Sequence, residues 1–343
     1  MSSHSPLQHR QSFSPLMRYP VLFLTYGLLK PLLWLADQTH FSTRFWRMMG
    51  RNLRKQMVRG RDFGDYQPMA SDVIVCTYPK CGTNWTMQIA YQIAMRGQGE
   101  YGHIHEVVPW PDGPEGYAIP LADDSARLAT PTGRRIIKTH LEWHHVPYSP
   151  AARYICVMRD PKDAFVSNYH FLREVLLGPL MPSVATWLSV FLSNDAPFVW
   201  AVHMQSYWHG RHQPNLLLLT FEEMKKDLAQ AVQRIAAFME VRLTDHEFAR
   251  VCEKSTFAYM KAIDHKFIPP LFTPWASPQR QMIRRGESGG SSELLTVAQQ
   301  RAIDHYCQQE LQRLHCDFPY GEIWGSSPDR PKQGQKKATR QRL

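Results

Sequence analysis

Lys80, Lys138 and His140 stand where a chain of 343 residues could bind and transfer a charged group. Lys80 lies in the stretch Tyr-Pro-Lys-Cys-Gly-Thr-Asn-Trp at residues 78–85. This stretch follows the β-branched run Asp-Val-Ile-Val-Cys-Thr and precedes an amphipathic pattern marked by Trp85, Ile89 and Ile93. That order predicts a buried strand, a tight turn and a helix. At such a junction the free N–H groups of the first helical turn carry the positive end of the helix dipole. Lys80 adds a full charge, so the turn suits an oxyanion. It is not a nucleotide P-loop, which needs a glycine, four residues and then Gly-Lys-Ser/Thr; here the lysine precedes a single glycine. Lys138 and His140 sit at the end of a second short apolar run. A histidine suits general-base work near neutral pH, but sixteen are present and type alone does not single one out.

Cys81, beside Lys80 at a helix start, could be an activated thiol. A tyrosine-phosphatase loop would need an arginine six positions later, where Met87 stands, so a structural thiol is the favoured reading. Arg159 opens Arg-Asp-Pro-Lys-Asp after a third apolar run. Its planar fork suits a phosphate, and its alternative is an ion pair with Asp160 or Asp163.

Five blocks in fixed order resemble the cytosolic-type sulfotransferase family. They are the 78–85 stretch, Lys-Thr-His-Leu at 138–141, residues 154–169 with Arg159 and Val-Ser-Asn-Tyr, Leu-Thr-Phe-Glu-Glu-Met at 219–224, and Arg-Arg-Gly at 284–286. The resemblance covers about residues 70–320. It implies transfer of a sulfuryl group from 3′-phosphoadenosine 5′-phosphosulfate (PAPS) to a small acceptor without a metal. Under it His140 is the general base, and Lys80 and Lys138 hold the 5′-phosphosulfate and stabilise developing charge, helped by backbone N–H groups of the loop Cys81, Gly82, Thr83 and Asn84. Arg159, Ser167, Arg284, Arg285 and Gly286 hold the 3′-phosphate. Trp85 and Phe257 sandwich the adenine, Ser255 bonds to it, and Phe221 stands where the family has tyrosine, keeping stacking surface but not the hydroxyl. Leu141, Trp143, Phe171, Phe267 and Phe272 are the implied acceptor walls, which favour an apolar alcohol, phenol or lipid-like acceptor; an amine is the other option. Glu106, Asp112 and Glu115 could contact an amine, though such loop acids are more often solvated. The family's dimer motif is degraded to Ser292, Thr296, Val297 and Arg301, with both charged ends lost.

The elements that must position these groups are four short strands at 73–77, 135–138, 153–158 and 215–220, alternating with helices. They predict a single α/β domain with a central parallel sheet flanked by helices and motifs gathered past the strand ends, and the resemblance implies a P-loop nucleotide-kinase-like fold. The expected division is an amino-terminal helical extension (1–61), a sulfotransferase domain (62–324) and a disordered basic tail (325–343). The formal charge of +10 is concentrated in residues 41–61 and 325–343; the remainder is slightly acidic, which argues against a nucleic-acid surface. Six cysteines without metal-ligand spacing or a secretory signal read as reduced thiols of a cytoplasmic protein.

Residues 19–36 are almost wholly apolar but contain Gly27, Lys30 and Pro31, a borderline span. Next, Phe45, Met49, Leu53 and Met57 recur at helical spacing, with Arg44, Arg47, Arg51, Arg54 and Lys55 on the remaining surface. Such a helix either lies on the cytoplasmic face of an anionic membrane, giving peripheral contact through 19–61, or packs its apolar stripe on the domain. Two other functions compete with sulfuryl transfer. One is an ATP-dependent phosphotransferase with Asp160 on magnesium, opposed by the missing Walker loop. The other is an inactive membrane-surface binding protein, opposed by the retention of Lys80, Lys138, His140, Arg159 and Ser167 together.

Overall fold

Strands β1 (Asp72–Thr77), β2 (Arg135–Thr139), β3 (Arg153–Met158) and β4 (Leu216–Thr220) pair in parallel in the order β2-β1-β3-β4. The computed structural model that shows this describes residues 15–60, 63–269, 275 and 280–325. Register sets Cys76 beside both Thr139 and Cys156, and Met158 beside Thr220. All four strands therefore end along one edge, where the ligand crevice of an open parallel sheet lies.

Helices α1 (Pro15–Leu24), α2 (Lys30–Asp37) and α3 (His40–Gly60) precede β1, with a π-helical turn at Thr25–Leu29 between the first two. After β1 come α4 (Thr83–Ala94), the short α5 (Ser125–Ala129), α6 (Pro161–Phe171), α7 (Val184–Phe191) and α8 (Trp200–His209). Then follow α9 (Phe221–Lys226), α10 (Leu228–Phe238), α11 (Asp245–Lys254), α12 (Phe257–Ala262), α13 (Val297–Arg313) and α14 (Tyr320–Ile323). Both sheet faces are covered, which is why the strands read as apolar runs. Alternate strand residues divide the core: Ile74, Cys76, Ile137 and Tyr154 pack with Phe165, Trp200 and Ile303, whereas Val73, Val75, Ile136 and Ile155 pack with Ile89, Ile235 and Val251. The opposite strand ends are locked by the buried Arg135–Asp72 pair, with Nε to Oδ1 at 3.1 Å.

The extension departs from one of the two sequence expectations: the apolar stripe of α3 does not pack on the domain. Helix α3 packs on α7, but through its polar side. Arg47 donates to the Ser189 carbonyl and hydroxyl, Arg51 pairs with Asp195, and Arg54 pairs with Glu142. Trp46 meets Trp187 edge-on, and a side chain at Gly50 would strike the Asp195 carbonyl. Met49 and Leu53, which the core-facing alternative would bury, are exposed together with Phe41 and Met48. The reason is geometric: arginine side chains are long enough to reach the Ser189 carbonyl on α7 and the acids Asp195 and Glu142 beyond it, and their stems cover the contact. Phe45 is half-buried; the side chain of Met57, together with Phe272 and the expected tail beyond Gly325, lies outside the described residues.

Candidate active site

The turn after β1 is held by two residues in the left-handed region. Lys80 has φ 69° and Gly82 has φ 92°. At Gly82 a Cβ would also come within 3.0 Å of the Phe221 ring, so glycine answers both the conformation and the close approach. Gly82 caps α4, which starts at Thr83 as expected. The Thr83 hydroxyl meets the Thr77 hydroxyl at 2.5 Å, tying the helix start to the strand end. Asn84 and Trp85 are half-buried in the first turn. Cys81 is buried, and burial pushes its thiol well above the usual range, so the side chain is a packing group and not an activated nucleophile. Lys80 directs its ammonium onto the face of Phe171, 4.6 Å from the centroid. Desolvation, with Arg159 nearby, lowers Lys80 to about 8.

On the neighbouring strand end, Lys138 lies over the Trp110 ring at 3.3 Å, and burial lowers it to about 7. His140 is only 9% exposed and meets Trp110 and Phe198 edge-on. Its Nδ1 is 2.7 Å from the Thr77 carbonyl. A carbonyl only accepts, so Nδ1 carries the proton and Nε2 keeps its lone pair. Burial first, and then the charge of Lys138, hold His140 well below its ordinary value, which keeps the ring neutral. Its backbone N–H donates to Asp112 Oδ2 at 2.9 Å. Asp112 is therefore not the solvated loop acid expected: it is buried, and burial raises its carboxyl.

The other half of the crevice collects the implied nucleotide residues. Arg159 donates to the carbonyls of Lys80 (3.0 Å) and Glu287 (2.8 Å), and its guanidinium lies 4.2 Å over Phe221. Ser167 is half-buried on α6. Trp85 meets Phe221 edge-on at 5.5 Å and donates its indole N–H to the Ser255 carbonyl at 2.7 Å. Gly286, with φ 60°, lies so close to Phe257 that a Cβ would come within 2.5 Å of its ring. Asp264 accepts from the N–H groups of Met282 and Ile283 and fixes the loop carrying Arg284 and Arg285. Both arginines grip Glu293, at 2.6 and 2.9 Å. Among the described residues, Arg159 Nε, the Ser255 hydroxyl and Glu222 Oε2 are buried on this side without a hydrogen-bond partner. Asp160 caps α6 by accepting from the Lys162 N–H, and its carboxylate is 3.2 Å from the Lys162 ammonium.

Of the implied acceptor walls, Phe171 lies at the site under Lys80. Trp143 does not: its ring joins Tyr148, Tyr154 and Tyr207 in the core under the sheet. Leu141 is buried in that same core, and Phe267 is buried against Tyr101 on the opposite face. The groups around His140 that sequence reasoning missed are Trp110, Phe198 and His203. His203 is buried with neither ring nitrogen partnered among the described residues, and burial lowers it to about 3. His203 packs on Tyr78.

Residues 70–315 match the family model of the sulfotransferase domain. The chain belongs to the sulfotransferase family. Sulfotransferase 2A1 of Macaca fascicularis is 30% identical over 257 residues, covering 73% of this chain and 87% of the relative. The amine sulfotransferase of Oryctolagus cuniculus is 27% identical over 270 residues, covering 76% and 86%. Among solved structures, mouse sulfotransferase SULT7A1 complexed with PAP superposes with a TM-score of 0.59 at 23% identity, over 79% of this chain and 92% of that one. Retinol dehydratase in complex with androsterone and PAP gives 0.58 at 19%, over 79% and 88%. These two likenesses show the fold, and family membership makes the protein a sulfotransferase enzyme.

Proposed function

We propose that this sulfotransferase moves a sulfuryl group from PAPS to a hydroxyl or amine of a small, largely apolar acceptor, with His140 as general base. The observation that carries the proposal is the fixed tautomer of His140. A buried, neutral ring with Nδ1–H committed to the Thr77 carbonyl presents a free Nε2 beside two lysines. The donor supplies an activated sulfuryl group on a good leaving phosphate. The residues fit it: Arg159 Nε and the Ser255 hydroxyl are buried donors without a partner among the described residues, and Gly82 and Gly286 keep two close approaches that a Cβ would fill. Lys80, Lys138 and the N–H groups of Gly82, Thr83 and Asn84 would hold the phosphosulfate end, and Arg159, Ser167, Arg284 and Arg285 the 3′-phosphate. Trp85, Phe221 and Phe257 would hold the base. Buried cations next to the leaving oxygen stabilise charge without reorganising at the moment of transfer. Phe171, Trp110 and Phe198 beside the lysines and His140 support an apolar acceptor. The six cysteines are free, which supports a cytoplasmic protein.

The test is a radiolabelled-sulfate screen of alcohols, phenols and amines, run with and without a metal chelator. His140→Ala is expected to lower turnover by about a hundredfold to ten-thousandfold while PAP still binds. Arg159→Ala is expected chiefly to weaken PAP, since a clamp acts in the ground state as well. A histidine variant with near-normal turnover, or a requirement for ATP and magnesium instead of PAPS, would overturn the proposal.

A further inference from the structure

We propose that the amino-terminal helices seat the protein in the surface of an anionic bilayer and that the acceptor reaches the site from that bilayer. The second half of this rests on the apolar-acceptor reading above and adds the source of the acceptor. Tyr19–Asp37 is a continuous helical stretch of 19 residues with a mean hydropathy of 1.3, yet only 6% of it is buried. Phe23 is 81% exposed, Trp34 65% and, on the next helix, Phe41 67%. Apolar surface of this extent on one side of a soluble domain marks an interaction face.

Charge selects the occupant. Asp37 is the single acidic residue between positions 15 and 60, and it faces inward, accepting from the Ser183 N–H (3.1 Å), the Ser42 hydroxyl (3.1 Å) and the Thr186 hydroxyl (2.5 Å). What remains outward is apolar and cationic, with Lys30, Arg44 and Lys55 exposed. That combination repels a second copy of itself and fits anionic headgroups over acyl chains. Lys30 in mid-stretch, the Asp37 anchor and the packing of Thr25–Leu29 and α2 on Gly178–Leu180 keep the helices against the domain. The stretch therefore lies in the interface and does not span.

The same contacts lead to the catalytic crevice. Phe171, which carries Lys80, runs directly into the π-helical turn Leu172–Leu176 and on to Gly178–Leu180. Trp275 donates its indole N–H to the Leu176 carbonyl at 3.0 Å and lies against Gly178, where a Cβ would collide with it. One short segment thus touches the lysine site at one end and the exposed apolar helices at the other.

The full-length protein is tested by flotation with phosphatidylcholine–phosphatidylglycerol vesicles. In parallel, sulfuryl transfer is measured to hexadecanol held in the vesicles and to naphthol in water. The double variant Phe23→Glu/Trp34→Glu changes only exposed side chains, and an unchanged melting temperature confirms its fold. Flotation is expected to fall about tenfold or more in the variant, with hexadecanol turnover falling in step and naphthol turnover unchanged. Unsubstituted protein that stays soluble at low salt would overturn the proposal, as would a variant that keeps vesicle turnover. A concentration-dependent dimer broken by the same substitutions, without flotation, would assign the face to a second copy and also overturn it. Flotation lost in the variant, with neither acceptor sulfated by the unsubstituted protein, supports the bilayer surface and overturns the acceptor reading alone.

Discussion

At the scale of single residues, burial sets the chemistry more than position in the chain does. His140 and the two lysines are cationic or basic groups drawn into a poorly solvated crevice, and each has its proton affinity lowered by that burial. Without an anion the lysines, at about 8 and about 7, begin to lose protons near neutrality. Binding a polyanion favours the charged forms, so binding above pH 7 takes up protons. Affinity must then fall as pH rises. The dissociation constant of PAP is expected to increase by about tenfold per pH unit for each lysine that is recharged, approaching about a hundredfold per unit above pH 8. Calorimetry in buffers of different ionisation enthalpy checks this: zero proton uptake at pH 8 would mean that the lysines are already fully charged in the free protein. Lys80, Lys138 and His140 were legible in the sequence because each sits at or just past the end of an apolar strand inside a block that resembles the sulfotransferase family; strand position alone did not single out one of sixteen histidines. Trp110, His203 and the buried place of Asp112 beside His140 were not, because residues 105–112 carry no periodicity and His203 sits on α8, which looks like any amphipathic helix; only the tertiary fold brings them to His140.

At the scale of elements, the strands and the turn after β1 were readable because two-sided burial writes continuous β-branched runs, and because Gly82 has a steric reason to be glycine. The aromatic walls were less readable. Trp143 and Phe267 carry the same composition as a ligand wall, but a large ring near a strand end is equally good core, and here it fills the core. The loop from Arg280 to Glu293 shows what a motif alone does not convey. Asp264 and Lys225 hold its backbone, while Glu293 holds Arg284 and Arg285, the two arginines proposed for phosphate. Partial burial works against the ionised Glu293 carboxyl, but the hydrogen bond and charge of Arg284 outweigh it and keep it below the usual carboxylate range. If the two arginines hold a 3′-phosphate as proposed, a carboxylate in that place competes with it. Arg285 is 51% exposed at the side chain, so the pair is a surface one, worth at most about 1 kcal/mol. Glu293→Gln is therefore expected to tighten PAP binding by up to about fivefold, with turnover at saturation unchanged. Weaker binding would instead show that Glu293 orients the arginines for the ligand.

At the scale of the whole molecule, the boundary between extension and domain falls inside the amino-terminal helices. Sequence alone places it near residue 61, since the first motif strand begins at Asp72 and helical periodicity cannot distinguish a stripe facing core from one facing lipid. Packing moves it. Helix α3 is part of the domain: Trp46 covers a small cluster of Val190, Ala196 and Val199, and Arg47, Arg51 and Arg54 satisfy groups on or near α7 and at Glu142. Helices α1 and α2 cover little beyond Gly178–Leu180 and the start of α7. Two truncations should consequently behave differently. Removing residues 1–39 is expected to leave PAP binding intact and a melting temperature within a few degrees of the full chain, since the losses are Asp37's hydrogen bonds, each worth about 1 kcal/mol. Removing residues 1–61 additionally strips a partly buried tryptophan and bares Trp187 and its neighbours. Loss of a buried tryptophan alone costs about 3–5 kcal/mol, and the bared apolar surface invites aggregation. Differential scanning calorimetry on the two truncated chains with and without PAP measures the contrast. Equal melting temperatures would detach α3 from the catalytic domain and restore the boundary to residue 61.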